Sequence, residues 1–376
     1  MNIPFLDLKR GYKIYGKEIE EAVLEVLRSG VYLNGEKTRN LEKKLSEYLG
    51  VKFAIGVSSG TEALYLILKA LDPPSGSLVL LPSFTFVSTA EVVVRAGLVP
   101  YFVDVEEKTC NISLESLKET YKELEKTGRK ISGVIAVSLF GVPANLKEIR
   151  NFCEEKGLFL VEDICQAFGA EIDGKKVGTF GIASATSFYP TKPLSTCGDA
   201  GMVFTSEESL AKKIRCLKEH GQTKAYFYEY HGVNGRIDEI HSAILLVKFK
   251  YFEEELKKRK ELAEMYNREL EGLNNFIKVP FFPEGTRPSY ALYTIKAEKR
   301  DDLRNFLKEK GVATGIYYAL PLHLQPVYRE LGFKKGDLPV TENLATRVLS
   351  LPFYPYLKKE EILYIVETIN TFYKTK

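Results

Sequence analysis

One alternation constrains the fold more than any other feature of this chain. From residue 50 to 205, short runs rich in Val, Ile and Phe alternate with segments of helical periodicity. The runs are Lys52–Val57, Leu78–Pro82, Val99–Val105, Gly133–Leu139, Leu158–Glu162, Ala183–Phe188 and Gly201–Thr205. Between them lie Thr61–Leu71, Val87–Ala96, Leu114–Lys126 and Leu146–Lys156, with apolar residues three and four apart. Strands apolar on both faces, separated by amphipathic helices, predict an α/β architecture: a mostly parallel sheet of about seven strands flanked by helices. Ligands of such sheets bind beyond the carboxyl ends of the strands. From Ile237 to Leu270 the pattern predicts one long helix. Strand-like Tyr290–Ala297 and helix-like Arg300–Lys310, Thr341–Leu349 and Lys359–Lys374 follow. The expected division is a large α/β domain over 1–250 and a small C-terminal α+β domain over 251–376.

Composition narrows the partners. Lys and Arg number 53 against 50 Asp and Glu, a net charge of +3 with the signs interspersed. That balance argues against a surface driven electrostatically onto nucleic acid or membrane, while leaving room for a small anionic ligand. The 5 cysteines form no C-x-x-C pair and the 4 histidines no H-x-x-x-H, so neither a disulfide framework nor a local metal motif is indicated. The opening segment Met1–Lys13 lacks the apolar core of a secretory leader, and charges interrupt the long apolar runs. The expected location is the cytoplasm.

Three strand ends carry chemistry. Val57-Ser58-Ser59-Gly60-Thr61-Glu62 passes from a strand into a helix through small residues. Free amides and a hydroxyl at a helix N-terminus make a phosphate seat, although the same residues also suit an ordinary N-cap. Leu158–Asp163 ends an apolar strand on two acids, and a desolvated carboxylate there needs a partner unless Asp163 caps a helix. Ser187-Phe188-Tyr189-Pro190-Thr191-Lys192 follows a third run, and a partly desolvated lysine can act as nucleophile or imine partner. Lys192 alone would read as one more surface lysine. Neither a Walker loop nor a strand-borne G-x-G-x-x-G is present. A phosphate seat, a strand-end Asp and a loop Lys together are what pyridoxal 5′-phosphate requires, and Phe86 offers a ring to lie on it.

In the same order the chain resembles the DegT-type nucleotide-sugar aminotransferases, which have the type I fold of pyridoxal-phosphate (PLP) transferases. The likeness runs through Pro4–Leu8, Gly60–Leu64, Pro82–Val87, Glu162-Asp163, Ser187 with Lys192, Gly232–Glu239, Pro321–Pro326 and Ser350–Pro352. It implies that Lys192 binds the cofactor's aldehyde and shuttles a proton, while Asp163 pairs with the pyridine nitrogen. Gln166 would approach the ring hydroxyl and Phe86 would stack on the ring. Gly60, Thr61, Glu62 and Ser187 would hold the phosphate, Thr61 and Glu62 through backbone amides and Ser187 through its hydroxyl. Asn234 would reach the cofactor phosphate of a neighbouring subunit, implying a homodimer with shared sites. Tyr318 and His323 lie in the segment that lines the sugar pocket in relatives. The implied reaction moves an amino group from L-glutamate to a nucleotide-linked 3-keto or 4-keto sugar, dTDP- or UDP-bound, with a lean toward 3-keto, dTDP-linked substrates. Ala200 and Gly235 depart from residues common in the family. A branch with His for the lysine performs dehydration, and Lys192 argues against it. A cofactor-bound regulator without turnover is the other reading.

Overall fold

The computed structural model describes residues 1–374. Strands β1 (Phe53–Val57), β2 (Leu78–Pro82), β3 (Val99–Val103), β4 (Ile131–Val137), β5 (Phe159–Asp163), β6 (Ala183–Ser187) and β7 (Gly201–Thr205) form one 7-stranded sheet in the order β1-β7-β6-β5-β4-β2-β3. All run parallel except β7, which is antiparallel to both neighbours. The observed sheet is therefore the largely parallel one that the alternation implied.

Its strands are apolar on both sides because each face has its own helical layer. Leu78, Leu80, Val134, Ala136, Met202 and Phe204 join one core, with α2 (Glu36–Leu49), α5 (Leu114–Glu125) and α6 (Leu146–Lys156). Val79, Leu81, Ile135, Val161 and Val203 point the opposite way, into α3 (Gly60–Leu71), α4 (Ser88–Arg95) and α7 (Glu208–Leu217). The two-residue period of a strand produces this division.

The expected single helix from Ile237 to Leu270 is two helices, α8 (Glu239–Phe249) and α9 (Phe252–Leu270). Short bonds from Lys250 N–H to Val247 O and from Tyr251 N–H to Lys248 O replace the helical ladder between them. No Gly or Pro marks that break in the sequence. The other misreading lies in Thr341–Leu349: the helix α11 spans Pro339–Arg347, and Val348–Leu351 is a strand paired with Tyr293–Ala297. Those two strands, with Ile277–Lys278, make a 3-stranded sheet beside α10 (Arg300–Glu309) and α12 (Lys359–Lys374).

The beginning of the chain belongs to this C-terminal part. Ile3 N–H donates to Gly311 O at 2.8 Å, and Ala313 N–H donates to Ile3 O at 3.0 Å. Helix α1 (Leu8–Ser29) follows, capped by Asp7, and Arg10 clasps Glu361 of α12 through two 2.6 Å bonds. Among the described residues no helix is long and apolar enough to cross a membrane.

Candidate active site

The carboxyl ends of β1, β2, β5 and β6 open onto one cavity of about 560 Å³, within the usual range for small-molecule sites. The reversed strand β7 brings its first residue, Gly201, to the same edge, paired with Val57 on one side and Ser187 on the other. Phe5, Leu6, Tyr317, Tyr318 and Phe353 face the cavity from the N-terminal strap and the C-terminal part.

One wall is the turn into α3. Ser59 is extended (φ −165°, ψ 167°) and caps the helix by accepting the Glu62 N–H at 3.0 Å. Gly60 and Thr61 face the cavity in the first turn. Their backbone lies very close to neighbouring strands: a Cβ on Gly60 would sit 2.7 Å from Ser187 Cβ and 2.9 Å from Cys165 Sγ. A Cβ on Gly201 would sit 2.3 Å from the Ser59 carbonyl carbon and 2.6 Å from Gly60 N. The two glycines let three strand ends converge on a single seat.

Asp163 stands at the cavity floor as the last residue of β5, one residue beyond the expected strand end. It is buried, and each oxygen has a donor: Cys165 N–H at 3.1 Å to Oδ1 and Thr89 Oγ1 at 3.0 Å to Oδ2. No ion pair reaches it among the described residues. The adjacent Glu162 points to the other side of the strand. Wholly buried, it accepts the N–H groups of Gly178, Phe180 and Gly181 at 2.6–2.7 Å, and burial pushes its carboxyl up. One acid serves the cavity and the other ties down a loop.

Lys192 lies on the loop from β6 to β7 and lines the cavity, as do Ser187 and Phe86. Phe86 is 53% exposed, and its ring lies 6.3 Å from that of Tyr318, the two planes inclined by 37°. Gln166 Oε1 accepts the Phe140 N–H at 2.9 Å, and its amide donates to Tyr318 Oη at 3.3 Å. Burial pushes the Tyr318 phenol up, against the opposing effect of Gln166. Burial first, then the nearby Asp163 charge, raises the Cys165 thiol well above its ordinary range.

The cavity thus brings together Gly60, Thr61, Phe86, Asp163, Gln166, Ser187, Lys192 and Tyr318. Three residues singled out from the sequence lie elsewhere. The Glu62 side chain pairs with Arg95 away from the cavity, and its amide is already taken by Ser59. Asn234 is exposed outside the cavity, in an isolated bridge with Glu219. His323 is buried behind the wall, bound to Ser83 and Glu342, and so does not line the cavity. Its PLHLQP setting places it near the site in sequence terms, but the side chain turns inward to the buried Ser83 and the part-buried Glu342. Conversely, Thr89 was not read from the sequence; its only signal there is the i, i+4 spacing from Thr85, whose hydroxyl lies 3.4 Å away.

The sequence model of the DegT/DnrJ/EryC1/StrS aminotransferase family matches residues 13–370. A pleiotropic regulatory protein of Geobacillus stearothermophilus is 39% identical, covering 100% of this chain and 99% of that protein. The UDP-2-acetamido-2-deoxy-3-oxo-D-glucuronate aminotransferase of Pseudomonas aeruginosa is 36% identical over 98% of this chain and 99% of its own length. The crystal structure of NtdA from Bacillus subtilis, with bound cofactor PMP, superposes with a TM-score of 0.91 at 29% identity, covering 99% of this chain and 85% of that one.

Proposed function

The chain belongs to the DegT/DnrJ/EryC1/StrS aminotransferase family, and from that membership and the chemistry of its cavity we infer that it transfers an amino group to the keto carbon of a nucleotide-linked sugar. L-glutamate is the proposed donor and pyridoxal 5′-phosphate the carrier. The observation that carries this reading is the meeting of Lys192, Asp163 and the Gly60-Thr61 seat in one cavity.

The residues fit the cofactor. The Gly60 and Thr61 amides, with the Thr61 and Ser187 hydroxyls, suit a phosphate at the positive end of α3. The space a Cβ would fill at Gly60 or Gly201 is what permits that seat. Asp163, buried without a cationic partner among the described residues, suits a protonated ring nitrogen. Phe86 would cover the ring, and Gln166 would approach the ring hydroxyl. Lys192 Nζ would hold the aldehyde.

Pyridoxal phosphate, when bound, supplies an electron sink for a carbanion and carries nitrogen between two substrates. This chain's own part is acid–base and positional. Lys192 Nζ takes the proton from the donor's α-carbon and later returns one to the sugar carbon that receives the amine. One base on one face serves both halves, with 2-oxoglutarate leaving after the first. Thr89 and the Cys165 amide keep Asp163 pointing into the cavity, and the apolar Phe5, Leu6 and Phe353 keep water from the exchange.

We further propose that two copies build each site. Lys192 is the only cation among the described residues lining the cavity, whereas a dicarboxylate and a nucleotide diphosphate each call for positive partners. Tyr226, Phe227 and Tyr228 are 89%, 59% and 56% exposed, which favours an aromatic hairpin covered in the assembly. Exposed Asn234 would then serve its neighbour's cofactor. The 3-oxo sugar in the Pseudomonas enzyme's name favours carbon 3 as the aminated position. Free cysteines fit a reducing compartment, and the cytoplasm is the proposed location.

The name of the Geobacillus relative keeps a cofactor-bound regulator as the second reading. A visible spectrum decides between them. A yellow band that L-glutamate bleaches supports transfer, a band indifferent to amino donors supports the regulator, and no band with added pyridoxal phosphate removes both.

A further inference from the structure

The loop that carries Lys192 is held from behind by a helix that never enters the cavity. Its own backbone closes with Phe188 N–H to Ala200 O at 2.8 Å, Thr196 N–H to Phe188 O at 2.7 Å and Lys192 N–H to Tyr189 O at 2.9 Å. Two more anchors come from α8. Lys248 Nζ donates to Ser195 Oγ at 2.6 Å, and His241 Nδ1 lies 3.0 Å from Thr196 Oγ1.

His241 and Lys248 are two helical turns apart, so they share a face and grip adjacent hydroxyls. Gly198 lets the loop lie flat on that face: a Cβ there would be 2.8 Å from His241 Cε1. Ser195 and Thr196 are both buried, so neither hydroxyl can turn to water instead. Lys248 forms no ion pair among the described residues. Its ammonium sits 5.8 Å from the Tyr15 ring centroid, and burial lowers its affinity for the proton while Glu255 opposes that. A part-buried ammonium that spends its hydrogen bond on the lysine-bearing loop is costly as mere packing.

We propose that Lys248, seconded by His241, is a positioning residue for Lys192: α8 sets the height and tilt of the loop, and so the place of Lys192 Nζ in the cavity it shares with Asp163. This rests on Lys192 being the cofactor lysine. A displacement of that amine by a fraction of an ångström costs rate rather than affinity, because the misplaced group is the base and not the binding surface.

The experiment removes the bond from each end, with Lys248→Met, Ser195→Ala and the double variant, and restores a donor with Lys248→Arg. Each single variant is expected to lower kcat by roughly 10- to 100-fold with KM for both substrates little changed. Borohydride trapping of pyridoxal phosphate on the Lys192 peptide should slow in parallel. The double variant should lose no more than the worse single, since both remove one contact. Lys248→Arg should recover most of the loss. Wild-type kcat and trapping rate in folded Lys248→Met and Ser195→Ala overturn the proposal, as does a loss expressed in KM. If Lys248→Met fails to fold, Ser195→Ala alone decides by the same readouts. Failure of the wild-type protein to trap the cofactor at Lys192 would instead sink the aminotransferase reading beneath it.

Discussion

Ser83 Oγ lies 2.7 Å from His323 Nδ1 and also accepts the His323 backbone N–H at 3.2 Å, so one hydroxyl fastens the Pro321–Gln325 segment to the loop that carries Phe86. The other ring nitrogen, Nε2, is 3.1 Å from Glu342 Oε1, at the start of α11. A ring with its proton on Nε2 satisfies every atom: Ser83 donates to Nδ1 and Nε2–H donates to the carboxylate. Leu322 N–H adds a bond to Ser83 O at 3.0 Å.

His323→Ala should therefore act on stability. It leaves the buried Ser83 hydroxyl without its ring acceptor, at a cost of roughly 1–3 kcal/mol, read as a lower denaturant midpoint. KM for the keto-sugar should stay near wild type. A large rise in KM with unchanged stability would return His323 to the substrate pocket.

Lys192→Ala should abolish transfer while leaving the thermal midpoint within a few degrees, because the Lys192 side chain makes no hydrogen bond or ion pair among the described residues, and its backbone bond to Tyr189 O survives the substitution. Retained turnover would refute its role.

Asp163→Asn removes the charge and keeps the shape. Loss of an oriented electrostatic partner in a closed site is expected to lower kcat by roughly 10²-fold or more. Thr89→Val is the milder companion. It leaves Asp163 Oδ2 without its 3.0 Å donor, and one lost bond to a charged group predicts about a tenfold fall. Equal rates for Thr89→Val and wild type would show that the Cys165 amide suffices.

Acid sensitivity should report the clasp between chain ends. Arg10, bonding directly to the carboxylate, holds Glu361 below its ordinary value of 4.5. A depressed folded pKa contributes stability that is present above the unfolded value and lost as pH falls through the folded one. Wild type should therefore exceed Glu361→Gln in stability at pH 7, and the gap should close as pH falls below about 4. A gap constant from pH 7 to 3 would deny the ion pair any part.

What the sequence disclosed depended on periodicity and on chemistry at strand ends. The strands of the main sheet were legible because a two-sided helical cover demands continuous apolar runs, Asp163 because it directly follows such a run, and Lys192 because it stands on the short loop after another. The reversal of β7 was not legible, since its residues are as apolar as those of any parallel neighbour. Nor was the break at Lys250–Tyr251, which comes from a change of packing partner: α8 lies on α1 and α2, whereas Leu262, Ala263 and Tyr266 of α9 join the C-terminal core. His323 misled for a related reason. Its neighbours along the chain mark the site, but the direction of one side chain is decided by Ser83, 240 residues away, and Glu342, 19 residues away on α11.

The strap that seats Phe5 and Leu6 against the cavity has a bearing on when the protein becomes competent. Ile3 is synthesised well before its hydrogen-bonding partners, Gly311 and Ala313. The main sheet can close once Thr205 has emerged, but that wall of the cavity must wait for the final third of the chain. A nascent chain carrying Lys192 and Asp163 on a formed sheet would still hold them in an open, water-filled cleft.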